Sequence, residues 1–217
     1  MLDFKKEFID FSLKKKALQF GNFKLKSGRI SPYFFDTGSF YTGNDIKKIG
    51  YFYAKLIINN NINFDSLLGL AYKGIPIVVS TCISLKKNYN LNIPYSFNRK
   101  EKKKYGQYDE IVGYYPKKNV VLIDDVITAG TAICNAVEQI KLKIKNKIII
   151  TATIVALNRN EIGYNNISSI KEIKNRYFFP IFSIITIQDV IKFMIEEKKI
   201  SLNIKKLINY TKKYGVK

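Results

Sequence analysis

The stretch "VVLIDDVITAGTA", from Val120 to Ala132, is the feature that most constrains the fold of this chain. Four apolar residues predict a buried strand, and two adjacent aspartates, Asp124 and Asp125, follow it directly. A tract of threonine, glycine and alanine then leads into apolar residues at helical spacing, which predicts a helix. A strand joined to a helix by a short polar loop is the repeating unit of α/β folds with a parallel sheet.

Strands and helices continue to alternate after residue 43. Apolar runs predict strands at "SLLGL", "IPYSF", "IIITATIVAL" and "IFSIIT". Helical spacing predicts helices that begin at an N-cap at Asn44, at Pro76 and at Ile187, and a last short helix over Ile204 to Ile208. Residues 1–42 predict a helix followed by extended chain. We therefore expect one domain, 1–217, with a small N-terminal cap (1–42) on an α/β core (43–217) whose mostly parallel sheet is flanked by helices.

The charge of the chain is strongly positive, with 37 lysines and arginines against 17 aspartates and glutamates. An excess of this size makes an anionic partner, nucleic acid first, worth testing. Only four of the basic residues are arginine, however, and isoleucine, asparagine and tyrosine are abundant too. Drift in base composition produces that bias, so the lysine excess is weak evidence for a function, and we expect no nucleic-acid partner.

Composition also excludes several kinds of chemistry. The chain has no histidine, which rules out Ser-His-Asp and Cys-His nucleophiles and histidine-bound metals. The longest apolar runs reach about half of the roughly 20 residues that a membrane span needs. The first ten residues mix acids and lysines without an apolar signal core, so we expect a cytoplasmic protein without a membrane partner.

The loop after the predicted strand combines two kinds of ligand chemistry. Residues Thr128 to Ala132 would lie at a helix N-terminus, where free N–H groups favour a phosphate and Gly130 permits close approach. The carboxylates of Asp124 and Asp125 would instead accept hydrogen bonds from sugar hydroxyls or hold a magnesium ion. A phosphorylated sugar suits both. A solvated strand end or the acidic pocket of a receiver domain are alternatives, and the threonine-glycine tract disfavours both.

Two other loops follow predicted strands: "AYKGI" and "NRKEKKKYGQYDE". In parallel sheets, ligands bind beyond the carboxyl ends of the strands. We therefore expect these loops to converge on the aspartate loop.

The aspartate stretch resembles the phosphoribosyl-pyrophosphate (PRPP) signature of the type I phosphoribosyltransferases. Further segments, "FGNFKLKSGRISPYFFDTG", "GLAYKGIPI", "YSFNRKEKKKYG" and "IVALNRNEIG", are similar in order to the bacterial orotate phosphoribosyltransferase family. The resemblance implies transfer of a phosphoribosyl group from PRPP to N1 of orotate, giving orotidine 5'-phosphate and pyrophosphate in pyrimidine (UMP) biosynthesis. It also implies Mg²⁺ bound through PRPP near the paired aspartates, and a homodimer with shared active sites.

The resemblance also implies roles for the matched residues. Lys103, Asp124 and Asp125 would be catalytic. The residues implied for PRPP are Lys26, Tyr72, Lys73, Arg99, Lys100, Lys103, Tyr105, Asp124, Asp125, Val126, Ile127, Thr128, Ala129, Gly130, Thr131 and Ala132. Those implied for orotate are Lys26, Phe34, Phe35, Thr128 and Arg159, although core packing explains the two phenylalanines equally well. In the family, Arg99, Lys100 and Lys103 belong to a segment that serves the neighbouring subunit.

The segment after Lys103 departs from the family pattern. Tyr105, Gln107 and Tyr108 stand where the family has a histidine, an acid and a glycine. A phenol carries no positive charge near neutral pH, so we expect retained but slower turnover. The departure also leaves open an RNA-binding protein of this fold that has lost catalysis. A phosphoribosyltransferase for another base is a further alternative, although Arg159 favours a carboxylated base.

Overall fold

Strands and helices alternate through most of the computed structural model, which describes residues 1–25, 28–100, 111–128, 130–143, 148–162, 168–198 and 202–216, with main chain alone for 141–143. The strands are β1 (Leu18–Lys24), β2 (Ile30–Phe35), β3 (Ser66–Gly69), β4 (Tyr95–Asn98), β5 (Ile111–Gly113), β6 (Asn119–Ile123), β7 (Val126–Ile127), β8 (Ile149–Asn158) and β9 (Ile181–Thr186). The helices are α1 (Asp3–Lys14), α2 (Gly43–Asn59), α3 (Gly74–Tyr89), α4 (Thr131–Lys143), α5 (Ser169–Tyr177), α6 (Ile187–Glu196) and α7 (Leu202–Tyr214). A short 3-10 helix spans Thr37–Ser39.

The main sheet is almost entirely parallel, as the alternation predicted. Within the described residues it has seven strands in the order β5-β4-β3-β6-β8-β7, with β9 also paired to β8. All of these pairs are parallel except β4 with β5. The carboxyl ends of β3, β4, β6 and β8 therefore lie at one edge, which is where ligands bind in sheets of this kind.

Helices cover both faces of this sheet because its strands are apolar on both sides. Along β6, Val121 and Ile123 face a core that α1, α2, α3, α6 and α7 complete. Val120 and Leu122 face a second core, completed by α4 and α5. The mostly parallel α/β architecture flanked by helices is thus confirmed.

The N-terminal residues form a separate small sheet that packs on the first core. Strands β1 and β2 pair only with each other in the described chain, and they are antiparallel. The ring of Phe8 lies 4.9 Å from that of Phe52 and 6.4 Å from that of Phe35, measured between ring centroids. The first 42 residues therefore share a core with the main sheet, and the single domain with a cap (1–42) on a core (43–217) stays a prediction.

Four details differ from the sequence expectations. Helix α2 is capped by Thr42 and not by Asn44, because the Thr42 hydroxyl accepts the Asp45 N–H while Asp45 accepts the Thr42 N–H, each at 3.3 Å. The polar stretch before β9 contains helix α5, and the charged segment ends in the edge strand β5. Helix α7 has 13 residues and is not short. In the part of the chain that is described, no helix is both long and apolar enough to cross a membrane.

Candidate active site

The paired aspartates lie in a break between two strands that pair with the same neighbour. Strand β6 ends at Ile123 and β7 resumes at Val126, and both run parallel to β8. The Asp124 N–H donates to the Ile154 carbonyl at 3.1 Å, and the Asp125 carbonyl accepts the Ala156 N–H at 2.8 Å. The break is therefore held by the sheet itself, and it places both carboxylates where the neighbouring loops converge.

The two carboxylates are largely enclosed and bonded to nearby donors. Oδ1 of Asp124 accepts the Asp125 N–H at 2.9 Å, and Oδ1 of Asp125 accepts the Val126 N–H at 2.8 Å. The hydroxyl of Thr37 donates to the second oxygen of Asp125 at 3.3 Å. Burial, reinforced by repulsion from Asp125, raises the pKa of Asp124 to about 7. Burial also raises the pKa of Asp125, so the pair holds a proton to a higher pH than ordinary carboxyls do.

Two lysines from neighbouring loops act on this pair. The positive charge of Lys73 counteracts the rise in the pKa of Asp125, and that of Lys100 does the same for Asp124. The Lys100 ammonium lies 4.7 Å from the ring centroid of Tyr72 in the same chain. The loops after β3 and β6 thus converge with Lys100, which lies at the start of the loop after β4 and among residues of its own chain. Residues 101–110 of the third predicted loop lie outside the described residues.

The predicted phosphate-binding loop, Val126 to Ala132, requires glycine at one position. Gly130 has a φ of +77°, which other residues rarely adopt, and a Cβ there would collide with the side chain of Ile173. The Ser169 hydroxyl donates to the Thr128 carbonyl. Helix α5, which the sequence analysis missed, therefore supports the loop that enters α4. The hydroxyl-bearing residues Thr128 and Thr131 are exposed at that entry, whereas Ile127 is buried.

An asparagine that the sequence analysis did not select ties the loop after β3 in place. The side-chain oxygen of Asn98 accepts the Ala71 N–H at 2.7 Å, and its amide nitrogen donates to Gln139 on α4 at 3.3 Å. Asn98 thus joins the loop that carries Lys73 to the helix that begins at the phosphate-binding loop. Its place directly before Arg99, at the end of a predicted strand, was the available signal.

Arg159 is buried at the end of β8, beside β7. Its Nε donates to Glu161 at 2.8 Å, and its Nη2 contacts Glu161 at 2.7 Å and the Ser31 hydroxyl at 3.0 Å. The guanidinium carbon also lies 4.2 Å from the ring centroid of Tyr33. Sequence analysis selected Arg159 but missed Ser31 and Glu161, although the acid two residues after the arginine was visible in "LNRNE".

The two phenylalanines of β2 occupy different environments. Phe35 is 6% exposed and packs in the first core, whereas Phe34 is 40% exposed and stacks on Phe23 at 5.4 Å between ring centroids. Successive strand residues face opposite sides, so the prediction that both side chains border one ligand requires a correction: the ring of Phe35 serves the core. Phe34 alone presents an exposed ring.

The remaining predicted residues are placed only in part. Val126 is half-buried, Ala132 is exposed on the first turn of α4, and the Nε of Arg99 is buried with no hydrogen-bond partner among the described residues. Lys26, Lys103, Tyr105 and Ala129 lie outside the described residues. Their roles stay predictions.

Comparison with known proteins gives the family. Residues 36–195 match the family model of the phosphoribosyl transferase domain. The chain is 52% identical to the orotate phosphoribosyltransferase of Buchnera aphidicola subsp. Acyrthosiphon pisum, over 99% of this chain and 100% of the relative. It is 41% identical to that of Shewanella oneidensis, over 100% and 99% of the two chains.

A solved structure agrees with this sequence similarity. The crystal structure of orotate phosphoribosyltransferase from Francisella tularensis superposes with a TM-score of 0.82 at 36% identity, covering 96% of this chain and 99% of the other. Fold, sequence and the order of the site loops therefore agree along the whole chain, and the protein belongs to the orotate phosphoribosyltransferase family of phosphoribosyl transferases.

Proposed function

We propose that this chain transfers the phosphoribosyl group of PRPP to N1 of orotate, releasing pyrophosphate, at the edge of the sheet where β6 breaks. The observation that carries the proposal is the buried pair Asp124–Asp125 placed between two lysines and the N-terminus of α4. This arrangement offers acceptors for sugar hydroxyls, cations for pyrophosphate and free N–H groups for a phosphate. PRPP carries all three groups on one ribose.

Each part of PRPP then has a chemical partner. The aspartates accept hydrogen bonds from the ribose hydroxyls, and the loop from Val126 to Ala132 surrounds the 5-phosphate. Lys73 and Lys100, with Lys26, Arg99 and Lys103, neutralise pyrophosphate. The raised pKa of Asp124 implies that ribose binding strengthens as the pH rises through about 7, because only the ionised carboxyl accepts two hydroxyl hydrogen bonds.

The aspartate pair also suits magnesium. Mg²⁺ prefers hard oxygen ligands and usually combines one or two carboxylates with substrate phosphates and water. Two enclosed carboxylates whose pKa values are raised gain from a nearby cation, which restores their ionised form. Bound with the donor, Mg²⁺ supplies positive charge to the pyrophosphate oxygens.

Arg159 is the residue proposed to recognise orotate. Glu161 and Ser31 engage its Nε and Nη2, and these contacts fix the plane of the guanidinium. A planar, always charged fork distinguishes carboxylated orotate from uracil. Phe34 is on the opposite face of β2 from Ser31 and Tyr33, which contact Arg159, and its role toward orotate stays a prediction from the resemblance.

The reaction needs charge stabilisation and no strong protein base. The bond from ribose C1 to pyrophosphate breaks as N1 of orotate bonds to C1, the electron pair leaves on the pyrophosphate oxygen, and the N1 proton, made acidic by the new bond, passes to solvent or to a pyrophosphate oxygen. Lysines fixed beside the leaving group stabilise that developing charge at no cost in reorganisation. The absence of histidine from the sequence is compatible with this mechanism.

A homodimer completes the proposal. The family resemblance supports a role for Lys103 in the neighbouring subunit's site, and the described residues of one chain bring together the acids proposed to bind the donor, Lys73 and Lys100. Each site would then receive the ammonium group of Lys103 from the partner subunit.

The test is the fall in orotate absorbance when PRPP and Mg²⁺ are added to the purified protein. Wild type should consume orotate in proportion to pyrophosphate released, and Lys103→Ala should lose roughly 100-fold or more in kcat. Arg159→Ala should raise the KM for orotate by at least about tenfold while leaving the KM for PRPP nearly unchanged. Salt-sensitive binding of RNA without orotate-dependent pyrophosphate release would contradict the proposal.

A further inference from the structure

The turn after β2 reaches into the site at two points. The carboxylate of Asp36 accepts a hydrogen bond from the Lys73 ammonium at 2.7 Å, and the hydroxyl of the next residue, Thr37, donates to Asp125 at 3.3 Å. Neither Asp36 nor Thr37 was selected by sequence analysis. The N-terminal segment therefore contacts both the lysine proposed for pyrophosphate and the acid proposed for ribose.

The geometry of the turn is specific to this contact. Oδ1 of Asp36 accepts the Gly38 N–H at 2.9 Å as well as the lysine, so the carboxylate is held in one orientation. A Cβ on Gly38 would collide with the Lys73 ammonium, and glycine is therefore needed for the lysine to lie there. Burial opposes the ionised form of Asp36, but the bonds from Lys73 and Gly38 prevail and lower its pKa. The carboxylate is ionised at neutral pH.

An ionised carboxylate on Lys73 has a consequence for the substrate. Pyrophosphate is a multiply charged anion, so it competes with Asp36 for the ammonium and is repelled by the carboxylate at the same time. The side chains of Asp36 and Lys73 are 38% and 46% exposed, which makes the ion pair weak enough for a ligand to displace.

We infer that Asp36 competes with pyrophosphate for Lys73 and thereby lowers the affinity of the site for PRPP and for the pyrophosphate product. This inference rests on the proposed role of Lys73 in pyrophosphate binding. The ion pair with Asp36 keeps Lys73 ordered before PRPP binds. Competition from Asp36 then favours release of pyrophosphate, and product release limits turnover in many enzymes.

The experiment is isothermal titration of the full chain with inorganic pyrophosphate, in the presence of Mg²⁺, using Asp36→Asn. Asparagine keeps the Oδ1 acceptor for the Gly38 N–H and removes the charge. We expect the Kd for pyrophosphate to fall about three- to tenfold, with a parallel fall in the KM for PRPP and little change in the KM for orotate. An unchanged or weaker affinity would overturn the inference.

Two further variants separate the possible causes. Asp10→Asn removes a carboxylate that is 40% exposed and bonded to Lys14 at 2.7 Å on α1, and it should leave pyrophosphate affinity unchanged. In a Lys73→Met background, Asp36→Asn should have no effect; an equal gain there would show a general field effect and overturn competition through Lys73. If Lys73→Met alone binds pyrophosphate as tightly as wild type does, the proposed role of Lys73 is wrong. If the wild-type protein does not turn over orotate at all, the proposed function itself is wrong.

Discussion

At the scale of single residues, the aspartate pair is a compromise between stability and function. The carboxyl of Asp124 is 8% exposed and lies against another acid, and burial raises its pKa to about 7. A group of this kind destabilises the folded state whenever it is ionised. Its retention makes sense only through the ligands that the ionised pair accepts, the ribose hydroxyls and magnesium of the proposed function.

The pH dependence of the free energy of unfolding tests whether ionised Asp124 destabilises the folded state. Because the folded pKa of Asp124 lies above the ordinary value of 3.8, the folded chain keeps a proton that the unfolded chain releases, so stability present at low pH is lost as the pH rises through about 7. Asp124→Asn removes the titration. We expect the variant to be more stable than wild type at pH 8, by roughly 1–3 kcal/mol, with a gap that shrinks toward pH 5.

The measurement is thermal unfolding from pH 5 to pH 8, where this gain corresponds to several degrees in Tm. Asp10→Asn on α1 is the control, because it makes the same substitution at a carboxylate that is 40% exposed and not buried against another acid. The difference in Tm between this variant and wild type should not grow with pH. A gap for Asp124→Asn that narrows as the pH rises would contradict the assignment.

Tyr105 gives the second prediction at this scale. It lies outside the described residues, and the expectation comes from the sequence alone: a phenol donates a hydrogen bond to a phosphate oxygen but carries no positive charge at neutral pH. Tyr105→His should raise kcat about threefold to tenfold at pH 6, where the imidazole is largely protonated, and less at pH 8. Tyr105→Gln, a neutral donor, is the control, and an unchanged kcat in the histidine variant would contradict the idea.

At the scale of elements, the site depends on three loops staying in register, and Asn98 connects two of them. Its oxygen holds the Ala71 N–H at 2.7 Å, and its nitrogen reaches Gln139 on α4 at 3.3 Å. The loop between β3 and α3 has little other freedom, because a Cβ at Gly74 would collide with the Ile123 carbonyl. The position of Lys73 therefore follows from backbone packing plus one side-chain hydrogen bond.

Asn98→Ala leaves the Ala71 N–H without its acceptor, and we expect the KM for PRPP to rise about fivefold to twentyfold. Asn98→Asp keeps an acceptor and should recover most of that loss, while Gln139→Ala removes only the weaker hydrogen bond and should have a small effect. Steady-state kinetics gives the KM, and Tm reports any general destabilisation. A lower Tm with unchanged KM would mean that Asn98 supports the fold alone.

At the scale of the whole molecule, the N-terminal segment contacts residues of the proposed site and does not only cover the core. It packs Phe8 and Phe35 into the first core, supplies Ser31 to Arg159, and places Asp36 and Thr37 against Lys73 and Asp125. The last helix, α7, packs in the same core, and its Tyr210 donates to Glu161 at 3.2 Å. Arg159, the arginine proposed to bind orotate, is therefore held by Ser31 directly and by Tyr210 through Glu161, from both ends of the chain.

The proposed dimer gives the prediction at this scale. Asp125→Asn disables the donor-binding part of a site, and Lys103→Ala disables the part contributed to the partner, so each variant alone should have little activity. Mixing the two equally, after reversible dissociation, should restore roughly one quarter of wild-type activity, because about half of the dimers then carry one intact site. Two copies of the same variant, treated identically, should gain nothing. Failure of the mixture to recover, with mixed dimers shown by mass spectrometry, would contradict shared sites.

The sequence by itself determined most of the strand-loop-helix order, the mostly parallel sheet and the family, and it predicted the phosphate-binding loop, because periodicity, motifs and glycine placement are local properties of the chain. It identified Asp124, Asp125, Lys73 and Arg159 for the same reason: each follows a predicted strand within a recognisable stretch. Only the tertiary structure decided that β6 breaks at the aspartates, that Phe35 faces the core, and that α5 supports Thr128. It also brought Asp36 into contact with Lys73, and it brought Glu161 and Ser31 into contact with Arg159. The contacts of Asp36 and Ser31 join residues that are 37 and 128 positions apart, and packing between elements sets such contacts, not the local pattern.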